Sequence, residues 1–417
     1  MSLIDAHRTI DAIWRMESAK LIATLTGMMR DVDIAEDLAH DALVIALERW
    51  PEIGIPDNPG AWLMTTAKRR AIDLIRRRKL RDQKYEEIAH GIDLYKMNDA
   101  DPTLEGEIGD DLLRLIFMTC HPVLSQESRV ALTLRLLCGL TTDEISRSFL
   151  TSKSTIAQRI VRAKRTLRSK NVPFEVPTGK ALKDRLSAVL EVIYLLFNEG
   201  YSATSGKDWI RPLLCQEGLR LGRILAEIVP YEAEVHGLVS LMEFQASRLK
   251  TRVSATGEPI VLLEQNRGNW DRLLIRRGQA ALNRSQKLEN TLGPYTLQAA
   301  ISACHAEALT AAQTDWIRIA ALYEALSRVT PSPIVELNRA VAVSMAFGPS
   351  YALQIVDKLS EESSLKGYHL LPSVRGDLLV KLGRFDEART EFKLAASMSR
   401  NDREKEFLLK RAKECEP

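Results

Sequence analysis

Long apolar runs, paired cysteines, β-type alternation and a net charge of either sign are all missing or scarce in this 417-residue chain. No apolar stretch approaches the roughly 18 residues that a membrane-spanning helix requires, so no membrane segment is expected. The five cysteines, Cys120, Cys138, Cys215, Cys304 and Cys415, are odd in number and scattered, with no CxxC pair. That excludes a disulfide framework; the neighbouring His121 and His305 complete no four-ligand set, so reduced thiols and no metal site are expected. The first ten residues carry charge and no apolar core, unlike a secretory signal, and a cytoplasmic protein is the expectation. No GxSxG, P-loop, GxGxxG or HExxH arrangement occurs. No catalytic residue, cofactor or enzymatic activity is therefore expected.

The balance of charge, +3 overall, points to no partner by itself, but its distribution does. Basic residues crowd between Lys68 and Lys84 and again between Arg147 and Lys170, with acidic sequence between them. Local cationic surfaces in a near-neutral chain suit local anionic partners. The length implies roughly two to four domains.

Apolar residues recur three or four positions apart almost throughout, so an all-α fold is expected. Ile34, Leu38, Leu43 and Leu47 mark a first amphipathic helix ended by Pro51. A loop with three prolines and two glycines covers Pro51 to Gly60. A second helix runs from Gly60 through Leu63, Ala67, Ala71 and Leu74 into Arg76-Arg77-Arg78-Lys79. The first domain then spans 1–81, and Asp82 to Gly109 has the composition of a linker. A compact unit follows over Asp110 to Lys170, within a domain of 110–172, and closes at Pro173 and Pro177. Residues 180–292 are helical without a visible period. In the last part, 293–417, Leu382-Gly383-Arg384-Phe385 with Ala388, Phe392 and Ala395 fits a tetratricopeptide skeleton. Gly348, Tyr351 and Ala352 precede it by about one repeat of ~34 residues, and Trp316, Leu322 and Tyr323 by a further interval. A helical solenoid is expected over about Leu297 to Lys413, with aromatics filling the gaps between helix pairs.

Two segments carry nucleic-acid chemistry. Leu140-Thr141-Thr142-Asp143-Glu144-Ile145 opens a short helix, capped by Thr141 or Thr142 and favoured by acids at its N-terminus. After a turn near Phe149 to Lys153, Ser154 and Thr155 open a longer helix whose Ile156, Ile160, Ala163 and Leu167 face inward. Lys153, Thr155, Gln158, Arg159 and Arg162 are left outward, where a recognition helix meets base edges, and Lys164, Arg165 and Arg168 extend a cationic side suited to phosphates. The other segment, Asn58 to Arg77, carries Trp62, expected in the core, and the cations Lys68, Arg69, Arg70, Arg76 and Arg77, which could track a single strand beside a base-accepting loop. Elsewhere, Asn198 to Gly206 is expected to be a connecting loop, and Arg267 to Trp270 and Arg276-Arg277 a charged helix surface.

These segments resemble the two conserved regions of extracytoplasmic-function (ECF) sigma factors. Asp33-Ile34-Ala35-Glu36-Asp37-Leu38-Ala39-His40-Asp41 is similar to the family's AEDLxQD helix, which implies docking on the β′ clamp helices of core RNA polymerase through Asp37, Leu38 and Asp41. Ala61 to Arg77 is similar to the segment that melts and reads the minus-ten promoter element, with the loop Pro51 to Asn58 holding a flipped base. Asp110 to Lys170 is similar to the domain that binds the minus-thirty-five element and the β flap. The chain has Arg69 where the family often has Asn, and His40 where it has Gln. Its long C-terminal half resembles the subgroup with a fused tetratricopeptide-like extension, which implies built-in regulation and a protein or ligand partner for the repeats. Promoter-directed initiation is thus the expected function. A one-component helix-turn-helix regulator that senses a partner through its repeats, or an interaction scaffold, is the alternative.

Overall fold

A computed structural model describes residues 3–87, 104–149, 151–177, 179–202, 210–254, 258–289, 292–399 and 401–416. The chain divides into two compact units, Met1–Val192 and Ile193–Pro417, the division falling within one helix. The protein is all-α: among the described residues, extended structure is confined to isolated bridge positions, such as Val253 with Pro259.

The first unit begins with α1 (Leu3–Met29), α2 (Val32–Ile53) and α3 (Pro59–Glu87), which pack on one another. Asp31 starts α2 by accepting bonds from the amides of Asp33 (2.9 Å) and Ile34 (3.3 Å), satisfying donors that have no partner within the helix. The helix does not end at Pro51. It continues through one further turn to Gly54, whose φ of +88° supplies the left-handed stop. A proline this close to a C-terminus removes only one ladder bond, whereas a left-handed residue cannot continue the helix. The buried face of α2 is mostly alanine (Ala35, Ala39, Ala42, Ala46) with Leu38 and Trp50. Such a face lets α1 and α3 approach closely. Trp62 of α3 is half-buried and meets fully buried Trp50 edge-on, with ring centroids 5.3 Å apart. Pro59 opens α3 at a position where its missing N–H costs nothing, and Asn58 accepts from the Ala61 amide at 3.0 Å. The helix runs past Asp82 to Glu87, so the described part of the expected linker is helical at both ends; residues 88–103 lie outside the described residues.

The second half of this unit holds α4 (Leu104–Thr119), α5 (Gln126–Leu136), α6 (Thr142–Ser148) and α7 (Lys153–Ser169). Thr141 and Glu144 form a capping box. The Thr141 amide donates to Glu144 Oε2 at 2.8 Å, and the Glu144 amide to Thr141 Oγ1 at 3.2 Å. The longer helix opens one residue earlier than Ser154 and Thr155 suggested, at Lys153: Ser152 is its cap, accepting from the Thr155 amide at 3.1 Å. Ile156, Ile160, Ala163 and Leu167 are buried against α5 and α6, as their spacing requires.

Helix α8 (Gly179–Tyr201), within which the division falls, is followed in the second unit by α9 (Pro212–Ile228), α10 (Ala233–Ser247), α11 (Arg272–Leu288) and α12 (Pro294–Glu307). Helix α10 is the hub, packed on α9, α11 and α12. Its glycine makes this possible: a Cβ on Gly237 would lie 2.8 Å from the Thr296 amide nitrogen. Glu234 of α10 caps α12 from outside, accepting from the amides of Tyr295 (2.8 Å) and Thr296 (3.1 Å). Asn198 to Tyr201, expected in a loop, are the last turn of α8; residues 203–209 lie outside the described residues. Arg267 is not on a charged surface either. It is 3% exposed and donates to the carbonyls of His305 (2.8 Å) and Ala308 (3.1 Å), closing the C-terminal end of α12. A cation at that end meets both the orphan carbonyls and the negative pole of the helix. Arg276 and Arg277 are exposed, as expected.

Paired helices α13 (Trp316–Val329), α14 (Pro333–Phe347), α15 (Pro349–Leu359), α16 (Leu370–Lys381), α17 (Phe385–Met398) and α18 (Asp402–Glu414) complete the chain as a tetratricopeptide-like stack. Ala388, Phe392 and Ala395 are buried in its core, and Gly383 turns the chain between α16 and α17 with φ +75°. The Phe392 ring lies against Gly376, where a Cβ would come within 2.9 Å of it. Trp316, Leu322 and Tyr323 pack on the same core, but Tyr351 is 63% exposed and fills no gap. Ala352, one residue on, takes the inward position instead. Replacing Phe392 with alanine should destabilise this unit by about 3–5 kcal/mol. Calorimetry of the full chain should show the corresponding transition falling in temperature, and an unchanged profile would contradict the packing described.

Candidate nucleic-acid and polymerase interface

On α3 the inward side is set by Leu63, Ala67 and Ala71, all buried. The remaining faces carry the cations: Arg69, Arg70, Arg76 and Arg77 are exposed and Lys68 is half-buried. Helical spacing thus delivers these five side chains along one element, as a backbone-tracking surface requires. Arg70 is ion-paired with Asp41 of α2, both ends remaining largely open to solvent. An exposed pair of this kind is worth about 0–1 kcal/mol and is readily exchanged for another partner.

Of the three residues expected to dock polymerase, Asp37 and Asp41 are exposed on α2. Leu38 is not: at 7% exposure it belongs to the core of the helical bundle. The period of the helix explains the difference, because Leu38 shares its stripe with Ala35, Ala42 and the rest of the buried face. The open stripe beside the two aspartates is completed by Val44 and Glu48.

On α7, Lys153, Gln158, Arg162 and Arg165 are exposed, and Thr155 and Arg159 are half-buried. Gln158, Arg162 and Arg165 follow one another at helical spacing, so they share one open face. Thr155 is partly committed to the helix cap, its hydroxyl lying 2.7 Å from that of Ser152.

Lys164 and Arg168 have a different setting from the rest of that cationic side. Both reach the N-terminal half of α2. Lys164 Nζ lies 2.9 Å from Asp33 and is also bonded to Glu36; Arg168 Nη2 bonds Asp31 (2.8 Å) and Asp33 (2.7 Å). Arg135 of α5 completes the cluster, its Nε donating to Glu36 Oε1 at 2.5 Å. Its Nη2 faces His40 Nε2 at 3.0 Å, while His40 Nδ1 is 2.8 Å from the Glu36 carbonyl. A guanidinium only donates, so His40 is the Nδ1–H tautomer, accepting from Arg135 and donating to Glu36. His40 therefore faces α5 and not the open stripe of α2.

Three carboxylates meet three cations in this cluster, with Glu36 only 6% exposed at its centre. Burial pushes the Glu36 carboxyl upward, but the Arg135 and Lys164 charges and hydrogen bonds outweigh it and hold it below the ordinary carboxylate value. Burial pushes Lys164 down, yet Glu36 and Asp33 hold its ammonium above the usual lysine value. Neither residue had been singled out from the sequence for a contact of this kind. The available signal was an acid, Glu36, standing beside Ala35 and Ala39 on an otherwise apolar stripe.

A basic helical bundle with an acidic open stripe, followed by a capped helix-turn-helix, defines a two-part promoter-recognition protein. Comparison with known families agrees. Residues 13–81 match Sigma-70 region 2, residues 114–167 match Sigma-70, region 4, and residues 185–286 match a family of unknown function, DUF6596. An uncharacterised protein of Rhizobium meliloti is 39% identical over 388 residues, covering 93% of this chain and 91% of that protein. The probable ECF RNA polymerase sigma factor SigI of Mycobacterium tuberculosis is 27% identical over 172 residues, 41% of this chain and 58% of that protein. The ECF RNA polymerase sigma factor SigK of Mycobacterium ulcerans is 31% identical over 155 residues, 36% of this chain and 79% of that protein. The chain belongs to the ECF sigma factors of the sigma-70 superfamily and carries a C-terminal helical extension. Its function is promoter-directed transcription initiation, with core RNA polymerase and promoter DNA as partners.

The shifts in the acidic cluster fix a pH dependence. Glu36 is depressed, so its stabilisation is present above the unfolded carboxylate value of ~4.3 and is lost as pH falls through the lower folded value. Lys164 is raised, so its contribution is present below ~10.4 and is lost as pH rises through its folded value. Between those limits both contributions are constant. Glu36→Gln should therefore flatten the loss of stability of the full chain on acidification below about pH 5, and identical slopes in variant and wild type would contradict this.

Proposed function

We propose a division of labour among the surfaces of the first unit. Asp37 and Asp41 on α2 dock the β′ clamp helices of core polymerase. The cations Lys68, Arg69, Arg70, Arg76 and Arg77 follow the opened strand of the minus-ten element, with the loop from Gly54 to Asn58, what remains of the expected loop once α2 ends at Ile53, taking an unstacked base. Helix α7 enters the major groove of the minus-thirty-five element, with Lys153, Thr155, Gln158, Arg159 and Arg162 toward the bases and Arg165 toward phosphate, and the domain around it meets the β flap. The observation that carries this reading is the open basic face of α7, set on a short helix fixed by the Thr141–Glu144 capping box. A recognition helix needs that rigid base to present side chains in register with base pairs.

Each contact set is weak alone, and core polymerase holds both at the spacing of the promoter elements, so binding is bivalent and governed by effective concentration. Phosphate contacts add a salt-dependent term without sequence information. Each good base contact adds about 1–3 kcal/mol of discrimination. The C-terminal extension regulates these surfaces, in the place a separate anti-sigma protein takes in shorter relatives.

In vitro transcription with sigma-free core polymerase and promoter fragments tests the whole assignment. The protein should confer promoter-specific initiation; duplex binding without any association with core would instead identify a one-component regulator. Arg162→Ala should weaken minus-thirty-five-dependent initiation by about 5–150-fold while leaving core binding unchanged. Equal loss of both would show that Arg162 does not face the bases.

A further inference from the structure

Three arginines of the second unit meet where three of its helices end. Helix α8 stops at Tyr201, α10 at Ser247 with Arg248 next in the chain, and α12 at Glu307. The guanidinium carbon of Arg252 lies 3.7 Å from the centre of the Tyr201 ring, and that of Arg248 lies 5.4 Å from the same centre. Arg267, at the end of α12, donates to the carbonyls of His305 and Ala308 and to the Thr314 hydroxyl at 2.8 Å. Among the described residues, neither Arg248 nor Arg267 forms an ion pair with a carboxylate.

The junction is therefore strongly positive. Burial pushes the Arg267 guanidinium below the ordinary arginine value, and the Arg248 charge pushes the same way. Burial, Arg248 and Arg267 together drive His305 down to about 3, so its ring is neutral and adds no charge. Each helix C-terminus carries a charge of about −0.5, so three ends offset about half of three guanidiniums and leave an excess near +1.5. Uncompensated charge in a desolvated setting is costly, and the face of one phenol ring relieves it only in part. Tyr201 is itself 7% exposed, and among the described residues its hydroxyl has no hydrogen-bond partner. The same holds for Nε of Arg267 and Nδ1 of His305. Buried polar atoms are rarely left so, and here they surround the excess charge.

We propose that this junction binds a small phosphate-bearing molecule, its phosphate dianion held between Arg248 and Arg252 with the Tyr201 hydroxyl donating to it. A phosphate monoester carries about −1.5 to −2 at neutral pH, which matches the excess, whereas a carboxylate leaves part of it unmet. Guanidinium forks suit phosphate oxygens, which they bond in pairs. Arg248 and Arg252 are half-buried and so within reach of solvent; Arg267 is committed to α12 and contributes its charge from further away. The site lies wholly within the second unit, and binding there does not depend on the roles assigned to the first.

Calorimetry of the full chain with inorganic phosphate, at constant ionic strength and about pH 8 where phosphate is a dianion, tests the proposal. The transition that Phe392→Ala lowers reports the second unit. It should rise by roughly 5–10 °C once phosphate is in ~100-fold excess over its Kd. Acetate, a monoanion, should bind about tenfold more weakly or worse. Arg248→Gln should abolish the response to phosphate. Without phosphate this variant should melt no lower than the wild type, because a repelling charge has been removed. Tyr201→Phe keeps the ring beneath both guanidiniums and should weaken phosphate binding by about 2–10-fold. Arg276→Gln, at an exposed position of the same unit, should change nothing. The proposal is overturned by no rise with phosphate, by a rise confined to the other transition, by a response that survives Arg248→Gln, or by acetate binding as tightly. Lower stability of Arg248→Gln in the absence of phosphate would also overturn it, by making Arg248 a packing residue.

Discussion

A single carboxylate, Glu36, occupies the position on which the first unit depends. It lies almost out of solvent between the guanidinium of Arg135 and the ammonium of Lys164. Taking a carboxylate out of water costs several kcal/mol, and the cost is met only when opposite charges and hydrogen bonds surround it. Here they come from two separate helices of the second helical domain, α5 and α7. The same contact that makes burial of Glu36 tolerable thus holds the recognition helix beside the helix assigned to polymerase.

Around that contact, helix ends are closed with unusual economy. Asp31 serves both as the cap of α2 and as a partner of Arg168. Glu234 caps α12 from a different helix, and Arg267 closes the far end of the same helix. The two ends of α12 are therefore fixed by charged residues, while small residues on α10 and α16 allow the flanking packing. In the extension the result is a stack whose helices are positioned by side chains from neighbours, a construction in which a change at one pair is felt by the next.

Much of this was legible in the residues themselves. The all-α class followed from spacing alone, and the inward set Ile156, Ile160, Ala163 and Leu167 could be placed because a strong 3.6-residue period leaves little choice of face. Boundaries were less legible where two signals competed. Pro51 suggested an end to α2, yet the chain holds its helix until a left-handed glycine at position 54 prevents continuation. Leu38 matched a family motif, but a motif does not say which of its residues face the partner and which hold the helix to its own core. Arg267 looked like surface because arginine usually is; it is buried because the carbonyl end of α12 needs a donor. Long-range charge pairing was the least legible of all. Nothing local to Lys164 or Arg168 distinguishes them from Arg165, and the difference arises from acids more than a hundred positions earlier in the chain.

In the role proposed for it, the open face of α7 sets Arg162 toward the bases and Arg165 toward phosphate. The measurement is the salt dependence of minus-thirty-five duplex binding by the complex with core polymerase, for Arg165→Ala and wild-type protein. The predicted result is a log–log slope shallower by about one for the variant, with the preference for the promoter sequence retained. An unchanged slope, or a lost sequence preference, would contradict it.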